Sequence, residues 1–326
     1  MNLYGDISPR TAAFVIVQLL VRAQPYLVLE KFLDMYVIPN NKTKTAKWRR
    51  YEALPLATTP LVEGVTPVGS NLTFTDYTAE LSQYGDYVPL TDVIQDTHED
   101  PVFVECQDLI AEQAAKTIES VRYGILNAGT NVFYANGTAR SAVNTIYSLT
   151  MQRKIIRSLK RQNASPITKV TAAGAMYNTT PVEGGFVALI HPDLENDIRN
   201  ITGFISVKNY ARAPISEHEL GAIESVRYLV STMNGAWADA GGAKGTMVST
   251  SGVKADVFSV LVLGQHCAGG VPLKGQNSIV PLVVNPRPVQ GDPLGQRGSV
   301  GWKSMQTAVI LNQFFMARGE VAATEL

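Results

Sequence analysis

The chain has 326 residues, of which 45% are hydrophobic and 17% charged, and its formal net charge is zero. This is ordinary globular composition, which favours a folded chain over a disordered one. Its two cysteines, Cys106 and Cys267, are too few for a zinc module or a disulfide framework, which favours a reducing compartment.

The zero net charge hides a segregation of charge along the chain. Residues 1–51 carry eight Lys or Arg and three acids, residues 52–115 carry twelve acids and no Lys or Arg, and residues 140–182 carry seven basic residues and no acid. Solvated faces that differ by chance would be one explanation. The length of the single-sign segments instead favours mutual recognition, within one chain or between copies of it.

The first predicted element is a short apolar helix in residues 11–29, TAAFVIVQLLVRAQPYLVL, with Thr11 as its cap. Arg22 and Pro25 interrupt the apolar run, so it lacks the ~18 uninterrupted residues of a membrane span. No small-x-small cleavage site follows, as a secretory signal would require. The sequence therefore predicts no membrane contact.

Residues 47–84 predict a long polar ribbon. The outgoing arm, 47–65, carries Pro55 and Pro60 and is expected to be an edge strand. A Gly/Pro turn at 66–71 leads to a return arm rich in Thr, Tyr and Phe, which would extend about 40 Å over residues 72–84 at ~3.3 Å per residue. Neither face is consistently apolar, and an isolated two-stranded ribbon is marginal in water, so it needs another surface to lie on.

A long helix is predicted over residues 101–128, with Asp100 as cap, Pro101 at the first helical position and Gly129 as the stop. Glu112 and Lys116 form a favourable pair one turn apart. The expected buried stripe comprises Val102, Cys106, Leu109, Ala114, Thr117, Val121 and Ile125. The expected solvent face comprises Glu105, Asp108, Glu112, Glu119 and Arg122.

A second helix is predicted over residues 150–164, with Thr150 as cap. Ile155, Ile156 and Leu159 are expected to face inward. The other face is basic, which could indicate nucleic-acid binding. A solvated or subunit-facing helix is the preferred interpretation, because no aromatic stacking residues interleave with the charges.

From residue 183 short elements alternate. Strands are predicted at 184–192, 225–232 and 257–264, a short helix at 193–200, a mobile surface loop at 233–256 and a long central strand around 308–316. Helices and strands of varied length, without a regular βαβα order, predict an α+β fold.

The search for chemistry finds no convincing active site. His191 and Asp193 follow a predicted strand, where a catalytic residue could lie, but capping or turn chemistry beside Pro192 is favoured. Adjacent His266 and Cys267 suit neither a nucleophile–base pair nor a metal site. The stretch GGAKGT at 241–246 lacks the order of a phosphate loop. We therefore expect no enzyme activity, cofactor or metal.

The order of these elements, and four stretches of sequence, resemble the major capsid protein family of tailed bacteriophages. The stretches are RRYEALPLATTPLVEGVTP (49–67), QYGDYVPLTDVIQDTHEDP (83–101), AGTNVFYANG (128–137) and GGFVALIHPDLENDIRNITGF (184–204). The resemblance implies an N-terminal arm (1–46), an extended β-hairpin loop (47–98), a peripheral domain with a spine helix (99–182), an axial domain (183–290) and a C-terminal return to the peripheral domain (291–326).

The function implied by the resemblance is self-assembly, as hexamers and pentamers, into an icosahedral shell around the double-stranded DNA of a tailed phage. The chain would reside in the virion, after assembly in the host cytoplasm. Separate scaffold and portal proteins, and possible decoration or cement proteins, are the expected partners, with weak non-specific contact to DNA. Candidate inter-subunit contacts are Arg49, Arg50, Glu63, Asp76, Glu80, Asp86, Arg153, Arg157, Lys160 and Arg161.

One branch of the family cross-links subunits through a lysine on the extended loop, and residues 52–115 contain none, so that chemistry is not expected here. Two alternatives stay open. An encapsulin-type compartment shares the fold but would load protein cargo. An enzyme using His191 and Asp193 would have a pocket around them and would remain a monomer or small oligomer.

Overall fold

The computed structural model describes residues 27–39, 41–61, 63–66, 69–97, 102–170, 181–210, 214–273, 279–288 and 291–326. Nearly all of the predicted helix at 11–29 lies outside these ranges, as do Asp100 and Pro101. Within them the chain forms two sheets that share one long helix, and a separate two-stranded hairpin. No helix of the described residues is long and apolar enough to cross a membrane.

The larger sheet has seven strands and is covered on both faces. In spatial order its strands are β5 (Val132–Tyr134), β14 (Met316–Val321), β10 (Phe258–Leu263), β6 (Phe186–Ile190), β9 (Val226–Val230), β8 (Glu219–Ile223) and β7 (Phe204–Ser206). Alternate residues of β10 enter two different cores: Phe258 packs in one, and Leu261 in the other. Two covered faces explain why its central strands are continuous apolar runs. The predicted strands at 184–192, 225–232 and 257–264 are confirmed.

The smaller sheet has five strands and is organised around one strand of fourteen residues. Its strands are β1 (Asp34–Met35), β4 (Ser82–Thr91), β11 (Ala268–Pro272), β12 (Ile279–Val284) and β13 (Arg297–Ile310). β13 pairs with β11 and β12 along one edge and with β4 along the other. β4 and β13 run so close that a Cβ on Gly85 would lie 2.5 Å from the Trp302 carbonyl oxygen. Close backbone approach therefore requires glycine at this position.

The predicted strand at 308–316 is misplaced. β13 ends at Ile310, a 3₁₀ turn occupies Gln313–Phe315, and β14 begins at Met316. The Asn312 side chain accepts a hydrogen bond from the Phe314 N–H at 3.0 Å, which favours the turn over a continuous strand. The C-terminal segment thus runs through both sheets.

The hairpin consists of β2 (Thr45–Tyr51) and β3 (Phe74–Glu80), paired antiparallel. It confirms a ribbon but corrects its arms. The outgoing strand ends at Tyr51, and the described residues of 52–73 form no helix or strand, in keeping with the prolines there. The return arm is interrupted at Leu81, which is 1% exposed and packs with Ile38 and Val271, before β4 joins the smaller sheet.

The long helix spans Val102–Asn127, as the sequence predicts, and the Glu112–Lys116 ion pair is present. Its buried stripe is rotated from the predicted one. Leu109 is 58% exposed, whereas Glu119 and Arg122, expected in solvent, are buried. The reason is a contact from the preceding segment: Glu119 Oε1 accepts hydrogen bonds from the N–H groups of Val28 and Leu29, at 3.1 and 2.8 Å. The actual stripe comprises Ile110, Ala111, Ala114, Ala115, Ile118, Tyr123 and Leu126.

The second predicted helix, here the basic helix, spans Leu149–Arg161. Its cap is Ser148, whose hydroxyl accepts from the Met151 N–H, and not Thr150, which lies inside the first turn. Ile155, Ile156 and Leu159 are buried against the seven-stranded sheet, as predicted. Two further short helices occupy Asp92–Thr97 and Glu195–Arg199.

The segment at 233–256 has no regular helix or strand but is held by buried polar contacts. Asp256 is 5% exposed and accepts hydrogen bonds from the N–H groups of Asp239 and Thr250, at 2.7 and 3.1 Å. Asp239 in turn accepts from the backbone and hydroxyl of Ser251. These bonds tie distant parts of the segment together, while its mobility stays a prediction.

Candidate assembly surfaces

The charges of the hairpin are satisfied within the hairpin itself. Asp76 lies directly opposite Arg49 in the β2–β3 register, and it accepts two hydrogen bonds from that guanidinium, at 2.8 and 3.1 Å. Lys47 Nζ lies 2.7 Å from the same carboxylate. The bond from Arg49, and then that from Lys47, hold the pKa of Asp76 well below its usual range. The acidic return arm is thus matched by the basic outgoing arm of the same chain.

Two further acids of the hairpin follow the same pattern. Glu80 accepts from Lys44 Nζ at 2.6 Å. Glu52 accepts from Arg50 at 3.1 Å and from the Thr75 hydroxyl at 2.7 Å. Four predicted contact residues, Arg49, Arg50, Asp76 and Glu80, therefore meet partners in their own chain.

Stacking contacts add to the stiffness of the hairpin. The Arg49 guanidinium lies 4.0 Å from the centroid of the Phe74 ring, and Tyr51 meets Phe74 edge to face at 6.3 Å. Such contacts contribute about 0.5–1 kcal/mol each at exposed sites. They help to hold the two strands together in a hairpin that has little hydrophobic core of its own.

Residues 52–73, here called the leucine loop, expose large apolar side chains. The exposed fractions are 53% for Leu54, 89% for Leu56, 79% for Leu61, 63% for Val65 and 67% for Leu72. Glu63, another predicted contact residue, is exposed in the same loop. A cluster of exposed apolar residues in one segment marks a site of interaction.

Asp86 is exposed, but its carboxylate is bound by a side chain of its own chain. Its carboxylate accepts from Gln113 Nε2 at 2.6 Å, and Gln113 Oε1 accepts from Trp302 Nε1 at 3.2 Å. The bond from Gln113 lowers the pKa of Asp86. This chain of bonds ties β4 to the long helix and β13, so the structure gives Asp86 a positioning role within the subunit.

The exposed face of the basic helix carries Arg153, Arg157, Lys160 and Arg161, all predicted contacts. Arg153 is paired with Glu224, its Nε lying 3.0 Å from the carboxylate. The other three line an open groove of ≈ 620 Å³, together with Arg153, Ile156, Glu183, Glu224 and Ser225. The structure thus brings four of the ten predicted residues together on one surface.

The candidate catalytic pair has a structural role. His191 caps the 3₁₀ turn Pro192–Leu194, its Nδ1 accepting from the Asp193 N–H at 3.3 Å. Its ring lies on Phe258, with centroids 5.2 Å apart. Burial lowers the pKa of His191, although Asp193 opposes the shift. The predicted capping role is confirmed.

The second candidate pair is also built into the fold. His266 Nδ1 lies 2.7 Å from an Asp34 carboxylate oxygen. Burial raises the pKa of Cys267 to about 12, which leaves the thiol protonated and inert at neutral pH. Within the described ranges no three His, Cys, Asp or Glu side chains form a group that could hold a metal ion.

Sequence reasoning missed two features of these surfaces. It did not single out Lys44 and Lys47, because only the strand register shows that they face Glu80 and Asp76. It also treated the ribbon as uniformly polar. The leucine loop could have been recognised from the apolar side chains on either side of Pro55 and Pro60, because these prolines disfavour a strand that would bury them.

Two sheets, a separate hairpin and an exposed apolar loop fit a structural subunit that makes contact with other chains. The chain belongs to the phage capsid protein family, whose family model matches residues 75–312. It is a structural capsid protein of the virion, and the α+β capsid fold predicted from the sequence is confirmed.

Solved capsids show the same fold at low sequence identity. The chain is similar to the capsid of Ralstonia phage GP4, with a TM-score of 0.65, 12% identity and 91% of each chain covered. It is similar to the capsid of cyanophage Pam1, with a TM-score of 0.63, 12% identity, and 94% of this chain and 93% of that chain covered. For the capsid of cyanophage P-SCSP1u the TM-score is 0.58 at 13% identity, covering 91% and 88%. No curated protein sequence matches the chain.

Proposed function

We propose that the chain assembles, as hexamers and pentamers, into an icosahedral shell that encloses the packaged double-stranded DNA of a tailed phage. The observation that carries this proposal is the leucine loop, whose apolar side chains Leu54, Leu56, Leu61, Val65 and Leu72 lie more than half exposed among the residues that the structure describes. Family membership and the assembled capsids of similar fold support it.

Burial of the leucine loop on a neighbouring subunit would offset much of the free-energy cost of association. Burying one Leu or Val side chain contributes about 1.5–3 kcal/mol. Leu54, Leu56, Leu61, Val65 and Leu72 are each more than half exposed, so their burial on a neighbour would contribute about 5–10 kcal/mol per contact. This is comparable with the ~4–15 kcal/mol lost in translational and rotational freedom on association. Repeated contacts around a closed ring supply the remainder.

The division of the chain into domains follows on the same proposal. Residues 1–46 form an arm, 47–98 the extended loop, 99–182 a peripheral domain, 183–290 an axial domain, and 291–326 return to the peripheral domain. The grouping of the long helix with β4 and β13 supports a peripheral unit. The packing of the basic helix on the seven-stranded sheet supports placing that helix with the axial unit instead.

The expected partners are separate scaffold and portal proteins and any decoration proteins, with assembly in the host cytoplasm. Among the contact candidates, Arg49, Arg50, Asp76 and Glu80 act by shaping the hairpin. Direct charged contact between subunits then falls to Glu63, which is exposed in the leucine loop. Because the hairpin acids are already paired, contact between loop and neighbour is principally apolar.

A comparison of two triple variants tests the proposal. Leu54, Leu56 and Leu61 are replaced by Ser in one variant. In the control, Val253, Leu294 and Phe314, which are 56–78% exposed outside the loop, are replaced by Ser. Size-exclusion chromatography and electron microscopy should show particles for the wild type and the control, and folded unassembled chains for the loop variant.

Two results would contradict the proposal. A wild-type chain that never forms particles, even with co-expressed scaffold, would refute the shell function. Normal particles from the loop variant would show that the leucine loop is not the contact. The contents of nuclease-treated particles separate the alternatives: protected DNA fits the phage shell, whereas protein cargo would fit an encapsulin-type compartment.

A further inference from the structure

The basic helix presents more exposed cations than the two acids beside it, Glu183 and Glu224, can offset. Lys154, Arg157, Lys160 and Arg161 are all exposed, and none forms a salt bridge in the described part of the chain. Arg153, on the same face, is paired with Glu224. The surrounding sequence adds to this excess of positive charge, because residues 140–182 contain no acid.

The acidic segment of a second copy is a poor match for these cations. Asp76, Glu80 and Glu52 are held by Lys44, Lys47, Arg49 and Arg50 in the hairpin, and Asp86 is held by Gln113. Using them to bind the basic helix would require breaking these contacts. A polyanion with unpaired charges would face no such cost.

We propose that the exposed face of the basic helix binds the phosphate backbone of the packaged DNA duplex, without reading its sequence. This inference rests on the proposed shell function and names the surface that meets the contents. Lys154 and Arg161 are seven residues apart, or about 10 Å along the helix at ~1.5 Å per residue. Phosphates of one DNA strand advance ~3.4 Å each along the axis, so about four successive phosphates span the same length.

The groove beside the helix fits this assignment. It is open to solvent, so the side chains of Arg157, Lys160 and Arg161 that line it can reach the phosphates of a duplex lying across it. Glu224 and Glu183 also line it, and they weaken binding. The result is a contact of modest strength, which a duplex can slide along or leave. Phosphate contacts fix position and carry no sequence information directly.

The salt dependence of DNA binding provides the test. The purified full chain is titrated into a fluorescein-labelled DNA duplex, and anisotropy is followed at several salt concentrations. Four phosphate contacts predict a slope of log K against log salt of about −3.6. The affinity should then fall about 150-fold between about 50 and about 200 mM salt.

A charge-matched pair of variants locates the contact. Replacing Arg157, Lys160 and Arg161 by Gln removes three positive charges from the helix face. Replacing Lys42, Lys208 and Lys254 by Gln removes three exposed positive charges elsewhere. The first variant should show a slope of about −0.9, with a three- to fourfold loss over the same salt range. The control should keep most of the wild-type slope.

The outcomes are distinct. Equal slopes for the two variants, or a wild-type slope near zero, would overturn the inference. So would a helix variant that binds DNA normally but fails to assemble, because the face would then be a subunit contact. Reconstructed particles in which the basic helix faces outward would overturn it as well. A wild-type chain that binds DNA as expected but never forms particles would refute the shell function, whereas DNA binding by the basic helix would still be supported.

Discussion

Glu119 makes the stability of the subunit depend on pH in an unusual direction. Its carboxylate is fully buried between the long helix and the segment that begins at Val28. Burial raises its pKa from 4.5 to about 7, although the N–H groups of Leu29 and Val28 and the charge of Arg122 oppose the shift. Glu30, which reaches Arg122 at 3.7 Å, adds a second negative charge nearby. The carboxylate is therefore buried with incomplete compensation.

The sign and size of the effect follow from linkage. Below about pH 4.5 the Glu119 carboxyl is neutral in both the folded and the unfolded chain, and above about pH 7 it is charged in both. Between these values it is charged only in the unfolded chain, so the folded state loses stability as pH rises from about 4.5 to about 7. At about 1.4 kcal/mol per pKa unit, the full effect is about 3 kcal/mol, of which about 2.5 kcal/mol falls between about pH 5 and about pH 8.

The perturbation that isolates this effect is Glu119→Gln. The amide keeps an oxygen that can accept from the Val28 and Leu29 N–H groups but carries no charge. Urea unfolding of the unassembled chain should show the variant gaining about 2.5 kcal/mol on the wild type between about pH 5 and about pH 8. Glu105→Gln, at an exposed position of the same helix, is the control and should track the wild type. A constant difference between Glu119→Gln and the wild type across the range would refute the reasoning.

Three further predictions concern the sheet contact, the core and the hairpin. Gly85→Ala places a Cβ against a backbone carbonyl and should destabilise the chain by about 1–3 kcal/mol in thermal unfolding. Gly69→Ala, which has open space around it, is the control and should have little effect. Equal effects of the two substitutions would contradict the geometry. Leu159→Ala empties a fully buried position and should cost about 2–5 kcal/mol, and a cost under about 1 kcal/mol would show that the site can collapse. The depressed pKa of Asp76 means that its stabilisation of the hairpin is present above its ordinary pKa and is lost as pH falls. Asp76→Asn should therefore speed amide hydrogen exchange in β2 and β3 at neutral pH. It should also abolish the further rise in opening of the hairpin that is expected for the wild type as pH falls. Unchanged protection of these amides would show that the bond from Arg49 contributes nothing to the hairpin.

Local pattern predicted those elements whose causes are local. The long helix and the basic helix follow from periodic apolar residues, and the strands of the larger sheet from continuous apolar runs. The order of these elements, together with four stretches of sequence between residues 49 and 204, indicated the capsid family. Prediction failed where a distant segment decides the outcome. Glu119 is buried because Leu29, ninety residues earlier, donates to it.

The contact surfaces show the same limit. Clustering of charge along the sequence predicted an acidic ribbon that binds a basic patch on a neighbour. The strand register instead places Arg49 opposite Asp76, so this acid is paired within its own hairpin. A lysine at position 76 would thus face Lys47 and Arg49 and disturb the hairpin itself, so it is a poor probe of assembly. The basic helix was predicted correctly because its exposure depends only on the period of the helix.

The hairpin charges are paired within one chain, and the exposed leucines lie beside them. This combination determines how assembly should respond to salt and temperature. Contacts built on exchanged ion pairs loosen as salt is added. Apolar contacts behave differently: they weaken on cooling and strengthen in salts such as sulfate, which are excluded from protein surfaces. A chilled stock of subunits should therefore stay dispersed at concentrations that produce shells when warmed. Temperature, rather than ionic strength, becomes the natural control for when this protein closes into a particle.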